Sequence, residues 1–515
     1  MSLFSNILGK KDNEDNLPEP NIRWPPLSNL KEYHKFAEWA AWYSGDPIQL
    51  SDVYSSLVNT GDVQGRIWSD EIEEEVKTML HVPLAGDIAG VSADLLFGDP
   101  PDVKIPEAHE EGDSNNQDAI EAQERLEEII RKADVYSREI KAAETATALG
   151  GCYLKVNWDA NFKPFPLFSV AQSDNAIPEF HHGFLRRVLF HTTIESTGVR
   201  DNTGTVQEAS GTYLRHLEYH EPGQIQHGLY EGTRNNLGNR IPLDEHWKTS
   251  NYEPVINTGI DDLLVRYVPN KRPNRLWRTS SLGQSDYQGI EGIMDALDAT
   301  YTSWIRDLKL AKARLLVPRN MLEEEDGKLK FDVDKSVYVA LETAPTEDKK
   351  ITAQQFDIRS KQHYETAKEL MSVAVDNAGY SPQTFGLNIE GRAESGTALR
   401  IRERKSVQTK NKKERYFENP LSEIFRLMLE VDNMKGFSEV TPFKPRLTFG
   451  PSFRPTLNEL ADSVDKISRA KAASYEVLVR TLHPDWTEEE VIAEVEKIKD
   501  QQGMNVPNPE QKPEL

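Results

Sequence analysis

Cysteine is nearly absent: Cys152 is the only one in 515 residues. An intrachain disulfide is therefore impossible, and no cysteine cluster can hold a metal. Cys152 opens the alternating run Cys152–Trp158, a setting that predicts a buried structural thiol. A membrane span needs about 20 consecutive apolar residues, and no run approaches that. The opening MSLFSNILGKKDNED lacks the basic start and long apolar stretch of a signal peptide. These absences lead us to expect a soluble chain, made and kept on the cytoplasmic side. Positive charge is also scarce. Lys and Arg number 61 against 84 Asp and Glu, a net charge of −23. Such a balance argues against a general nucleic-acid- or membrane-binding protein. A phosphate-binding lysine is missing too. Gly386 to Ala393 has the G-x-x-x-x-G spacing, but Arg392-Ala393 stands where Lys-Ser or Lys-Thr belongs. The frame Gly391 to Ala398 also lacks the lysine.

The length allows more than one domain and a substantial core. Residues to about Pro26 are polar and proline-rich and read as an arm without structure. Leu27–Tyr43 is helical by apolar spacing, with Trp39 and Trp42 widening the face. Asp70–Leu80 opens with Asp70 and Glu73 spaced as reciprocal caps. His81–Phe97 reads as a buried helix, closed by Gly98-Asp99-Pro100-Pro101. Helices follow over 117–131 and 134–149, and Gly150-Gly151 ends the second. Cys152–Trp158, Pro178–Ile194, Thr212–Glu221 and Gln224–Glu231 read as strands of an antiparallel meander. Pro222-Gly223 joins the last two.

Ser285–Leu310 returns to helix, with Ile290, Ile293, Leu297, Tyr301, Trp304 and Leu308 at helical spacing. Leu315–Pro318 and Val337–Leu341 bracket an acidic turn, Glu323-Glu324-Glu325-Asp326-Gly327, in a small α/β insertion. Lys361–Asn377 is a second helix, whose face carries Tyr364, Ala367, Met371, Ala374 and Ala378. Gly379 suits the left-handed position that ends a helix, and Ser381-Pro382 turns the chain away. Gly386, Gly391 and Gly396 keep the next stretch flexible, and no apolar anchor stands out. From Thr397 a long basic helix begins. Arg400, Arg404, Gln408, Asn411 and Arg415 fall on one face, which by charge pattern alone reads as a solvated surface. Thr456–Glu459 and Thr487–Glu490 match capping boxes, each starting a helix. The tail after Gly503 is proline-rich and polar and reads as disordered.

The order of these elements resembles a bacteriophage portal protein. Short runs carry the likeness: His81-Val82-Pro83 through Gly98-Asp99-Pro100-Pro101, Gly150-Gly151-Cys152-Tyr153-Leu154-Lys155-Val156, Ala393-Glu394-Ser395-Gly396-Thr397-Ala398-Leu399-Arg400, and Phe453-Arg454-Pro455. They are similar to the portal group of long-tailed phages of Gram-positive hosts. The resemblance implies an α+β, mainly helical fold with wing, stem, clip and crown. Its domains would be an arm (1–26), a wing (27–282), a stem helix (283–313), a clip (314–358), a returning stem helix (359–380), a tunnel loop (381–397), a long helix with wing return (398–453), a helical crown (454–502) and a tail (503–515). It further implies a ring, usually dodecameric, at one capsid vertex of the virion, assembled in the host cytoplasm. That ring would conduct double-stranded DNA during packaging and ejection. The large terminase subunit and later a head–tail adaptor would dock at the clip, where Glu323, Glu324, Glu325 and Asp326 are the expected contacts. Major capsid and scaffolding proteins would meet the wing. Gly386, Gly391, Arg392, Arg400 and Arg404 are the expected tunnel residues. No catalytic residue, metal or cofactor is expected. An acidic wall suits such a conduit, because a basic one would bind phosphate and slow the DNA.

Two other readings remain open. His181, His182, Asp174 and Glu179 suggest a metal-dependent hydrolase, although adjacent strand histidines should point to opposite faces. The acidic balance also fits a cytosolic scaffold without a DNA channel.

Overall fold

The computed structural model describes residues 16–26, 29–60, 66–69, 79–108, 116–197, 211–311, 314–318, 323–325, 328–330, 338–341, 352–354, 358–387, 396–450, 457–483, 486 and 488–501. Two compact units divide the chain, 1–450 and 451–515. The fold is mixed α+β and mainly helical.

Helix α1 (Leu30–Ser44) buries Phe36, Trp39, Ala41 and Trp42, and Gly45 ends it at φ +65°. Across from it, α2 (Pro47–Thr60) supplies Tyr54, whose hydroxyl takes a hydrogen bond from Trp42 Nε1 at 2.8 Å and gives one to Glu38 at 2.8 Å. The helix expected over 70–80 lies mostly outside the described residues. Helix α3 (Leu84–Phe97) is apolar almost all round, and eight of its residues are buried. That pattern marks a core helix. After the short strand β1 (Asp102–Lys104), α4 (Asn116–Lys132) and α5 (Val135–Leu149) complete the helical layer. Gly150 then turns the chain at φ +79°. A Cβ there would lie 2.9 Å from Gly283 O, so only glycine fits.

Strands β2 (Gly151–Asn157) and β3 (Leu167–Gln172) follow. Cys152 is buried in β2, as its setting predicts. The meander comprises β4 (Ala176–His181), β5 (Phe184–Thr197), β6 (Thr212–Glu221), β7 (Gln224–Thr233) and β8 (Asn236–Ile241), paired in that order. β9 (Val255–Asn257) adds to β7, and β10 (Val265–Pro269) pairs with β2. Pro222-Gly223 makes the expected hairpin, with Gly223 at φ +84°.

Residues 16–26 differ from the expected unstructured arm. Leu17 and Trp24 are buried with Ile177, Leu189, Leu217, Tyr219 and Tyr230. Arg23 bridges Asn236 on the free edge of β8. Asn21 N donates to Gly238 O at 2.7 Å, and Leu237 N donates to Ile22 O at 2.8 Å. Two large apolar side chains and an unfilled sheet edge order a segment whose composition alone reads as mobile.

Helix α6 (Glu291–Leu310) leads to an insertion with five short strands among its described residues. They are β11 (Arg314–Pro318), β12 (Glu323–Glu325), β13 (Lys328–Lys330), β14 (Tyr338–Leu341) and β15 (Thr352–Gln354). β11 lies between β14, parallel, and β15, antiparallel. The acidic stretch is not the turn that its composition suggests. Glu323–Glu325 is itself a strand, with Glu323 opposite Lys330 and Glu325 opposite Lys328. Asp326 lies outside the described residues.

Helix α7 (Ser360–Ala378) returns along α6. Of its predicted face, Ala367, Ala374 and Ala378 are buried, whereas Tyr364 is exposed. Helix α8 (Gly396–Met434) runs 39 residues and passes through Pro420. An interior proline costs about 3 kcal/mol. Phe417, Leu421, Ile424, Phe425 and Met428 are buried around it, each contributing about 1.5–3 kcal/mol, so packing outweighs the missing hydrogen bond. Arg125 from α4 locks the far end, donating to both oxygens of the buried Asp432 at 2.9 Å. β16 (Arg446–Thr448) then pairs with β1.

The second unit contains α9 (Leu457–Arg469), α10 (Tyr475–Leu482) and α11 (Glu488–Gln501). α9 and α11 begin one residue after Thr456 and Thr487, where the capping boxes put them. Val479, Val491 and Val495 form the small core. No described helix is long and apolar enough to cross a membrane.

Candidate functional site

The segment between α7 and α8 is built from its two flanks inward. Gly379 ends α7 at φ +108°, as predicted. Its carbonyl accepts a hydrogen bond from Thr409 Oγ1 on α8 at 2.5 Å. Ser381 is tied twice: its N–H donates to Ser406 Oγ at 2.9 Å, and its hydroxyl donates to Arg402 O at 2.7 Å. Pro382–Phe385 forms one 3-10 turn, closed by Gly386 at φ +71°. Thr384 Oγ1 lies 2.7 Å from Ser406 Oγ. Lys405 donates to the Asp376 carbonyl at 2.7 Å and to its carboxylate at 2.6 Å.

This first part of the loop is therefore not the unanchored, flexible stretch expected. Phe385 and Leu387 pack against the core that holds Tyr380, Ala374 and Ala378. Gly386 serves a fixed left-handed cap rather than general mobility. Gly391 and Arg392 lie outside the described residues. Arg400 falls in the second turn of α8. Arg404 is exposed, and Gln408, Asn411 and Arg415 continue its exposed stripe.

Beneath the loop sits a buried polar cluster. Lys413 on α8 points inward. Its Nζ is 2.8 Å from Ser92 Oγ (α3), 3.0 Å from Thr147 Oγ1 (α5), 2.8 Å from Asp286 Oδ2 and 2.9 Å from Tyr380 OH. Asp286 precedes α6. It also accepts from Tyr380 OH at 2.6 Å and Asn270 Nδ2 at 2.6 Å, and it pairs with Lys271 at 2.8 Å. Lys271 donates in turn to Ala378 O at 2.6 Å. One carboxylate thus faces two ammonium groups. Burial pushes the Asp286 carboxyl up, but Lys271 and Lys413 outweigh it and hold it down at about 2. Complete burial pushes the Lys413 ammonium down to about 8, against the pull of Asp286. Burial also raises the Tyr380 hydroxyl well above its ordinary value.

At the other end of α7 lies the neck of the insertion. Arg359 donates to Asp307 on α6 through Nε at 2.9 Å and through Nη2 at 3.1 Å. His363 Nε2 lies 3.0 Å from the same carboxylate, and the Trp304 ring stacks on His363 at 6.0 Å. Hydrogen bonds from Arg359 and then His363 hold the Asp307 carboxyl down at about 2. Leu308, Leu310, Ile358 and Tyr364 are exposed around this neck. Glu323, Glu324 and Glu325 lie beyond it in β12.

The candidate metal residues sit elsewhere. His182 is a turn residue at φ +51° between β4 and β5, followed by Gly183 at φ +87°. Its ring therefore meets that of His181 at 4.2 Å instead of pointing to the opposite face. Burial pushes the Asp174 carboxyl up to about 6. Among the described residues, no group of three or more His, Cys, Asp or Glu could hold a metal ion.

Sequence reasoning missed Lys413, Asp286 and Tyr380. A signal existed: Ser406, Lys410, Lys413 and Phe417 share a helix face opposite the Arg404 stripe, and Phe417 marks that face as the buried one.

No protein of curated function matches the chain. A family described as phage portal protein, SPP1 Gp6-like, matches residues 28–508, nearly the whole length. With helices, insertion, loop and long helix in the order that the resemblance implies, the chain belongs to the phage portal proteins of that family.

Proposed function

We propose that copies of this chain close into a dodecameric ring at one capsid vertex, which conducts double-stranded DNA during packaging and ejection. The observation that carries this reading is the division of labour along α7. The helix has 19 residues, so it spans about 28 Å. One end carries the β insertion and the other carries the loop into α8. A docking element and a channel-facing loop are thereby held apart. The insertion 314–358 is the clip, where the large terminase subunit and then the head–tail adaptor dock through Glu323, Glu324, Glu325 and Asp326. The loop 381–397 faces the DNA with Gly386, Gly391 and Arg392. Arg400 and Arg404 begin the helix behind it. Major capsid and scaffolding proteins meet the wing. The exposed apolar residues Leu308, Leu310, Ile358 and Tyr364 are surfaces that neighbouring copies cover. The ring works in the virion after assembly in the host cytoplasm, and the hydrolysis that drives packaging belongs to its terminase partner.

The test is direct. Purified protein is expected to form rings with a central hole in negative-stain images. Capsids assembled with the Arg392→Glu, Arg404→Glu variant are expected to form normally but package less DNA. Monomer at every concentration in native buffer would refute the ring. Normal genome content in that variant would remove these residues from the channel.

A further inference from the structure

We infer that Lys413 is a positioning residue that fixes the root of the loop and the approach to α6 as one body. The inference rests on the tunnel-loop reading above and supplies its control point. Lys413 is 2% exposed at its side chain and Asp286 is fully buried. The oxygens around Nζ come from α3, α5, the approach to α6 and the residue just past α7. Two of these four places matter most. Tyr380 stands two residues ahead of the docked turn 382–385. Asp286 stands five residues ahead of α6. No other described side chain bonds to both.

The chemistry explains why one ammonium can do this. It has three protons and no acceptor, yet four oxygens surround it. Tyr380 OH gives its own proton to Asp286 and accepts from Lys413 at its lone pair. Removing the ammonium therefore frees the tyrosine–carboxylate pair from α8. The straps at Thr409 and Ser406 still hold the loop to α8, and Ser285 and Tyr287 still hold the approach to α6 to α5 and α3, but the charge-assisted bond from α8 to the tyrosine–carboxylate pair is gone. Loss of Lys413 should loosen the two segments together, because both lose the bond that they share through Tyr380 and Asp286. Residues 364–375 of α7 and strands β6 and β7 lie outside the cluster and should not respond.

Hydrogen exchange on the full-length protein, without DNA, reads this. In Lys413→Met, amides of 383–387 and of 287–297 should both exchange roughly tenfold faster or more, as expected when a charge-assisted bond is lost. Tyr380→Phe, which removes only one hydroxyl, should raise the same two segments by a smaller common factor. It also serves if Lys413→Met fails to fold. Lys413→Met with Asp286→Asn removes both charges. The pair should recover melting temperature while 383–387 and 287–297 stay fast. A purely structural role predicts that exchange recovers together with stability, and that result would overturn the inference. So would a Tyr380→Phe response confined to 380–387. DNA content is measured separately in assembled capsids. Faster exchange with normal genome content would sink the tunnel-loop reading and leave the role of Lys413 standing.

Discussion

At the neck end of α7, Asp307 meets Arg359 and His363 where Arg359 is 60% exposed. At the loop end, Asp286 meets Lys413 and Lys271 with its carboxylate wholly out of water. Both carboxyls are held at about 2, yet they differ in kind. Water and salt screen the neck pair, and exposed pairs contribute little. In the cluster Asp286 and Lys413 are both desolvated while Lys271 keeps some contact with water, so the two buried charges depend on each other. One helix thus ends in a joint that solvent can loosen and in a root whose central pair, Asp286 and Lys413, is out of water.

The largest way to break this comparison is to strand a charge at the root. Asp286→Asn or Lys413→Met should each cost about 3–5 kcal/mol of stability, and the double variant should recover much of it. Denaturant midpoints check this; additive losses would mean that the two charges are not coupled. Acid sharpens the contrast next. A carboxyl lowered in the folded state stabilises above its ordinary value and loses that contribution as pH falls through the folded one. The contribution of Asp286 is therefore present above pH about 4 and disappears toward about 2. Thermal melts across that window should fall less steeply in Asp286→Asn than in the native chain. The neck comes third. Asp307→Asn should lower the melting temperature slightly at low salt and not at all at high salt, because screening removes what the pair adds. A salt-independent loss would class the neck with the root. The smallest effect on folding belongs to neutral replacements of Glu323, Glu324, Glu325 and Asp326. They should leave the melt unchanged but slow docking of the terminase or adaptor at low salt, as surveyed charges act mainly on association. Surface-plasmon association rates measure it.

Much of this frame was legible from periodicity and glycine alone. The all-round apolar run 84–97 announced a core helix, and Gly379 announced the end of α7. What stayed hidden depended on partners distant in sequence. Lys413 reads as one more cation in a basic stretch until Asp286, 127 positions away, is brought to it. Glutamate disfavours strands, so Glu323–Glu325 read as a turn until the lysine-rich partner strand was seen. His182 read as a strand residue because nothing local distinguishes the last rung from a two-residue turn, except the glycine that follows. Residues 16–26 read as an arm because their order comes from an edge more than 200 positions away.

That last segment has a consequence for the solution behaviour of the protein. An uncovered sheet edge is a template on which another chain can add a strand. With Arg23 bridging Asn236, and Ile22 accepting from Leu237, the rim of β8 is already occupied by the same polypeptide. The strap thus acts as an internal edge guard for that side of the meander. It withholds that rim from strand addition by another copy.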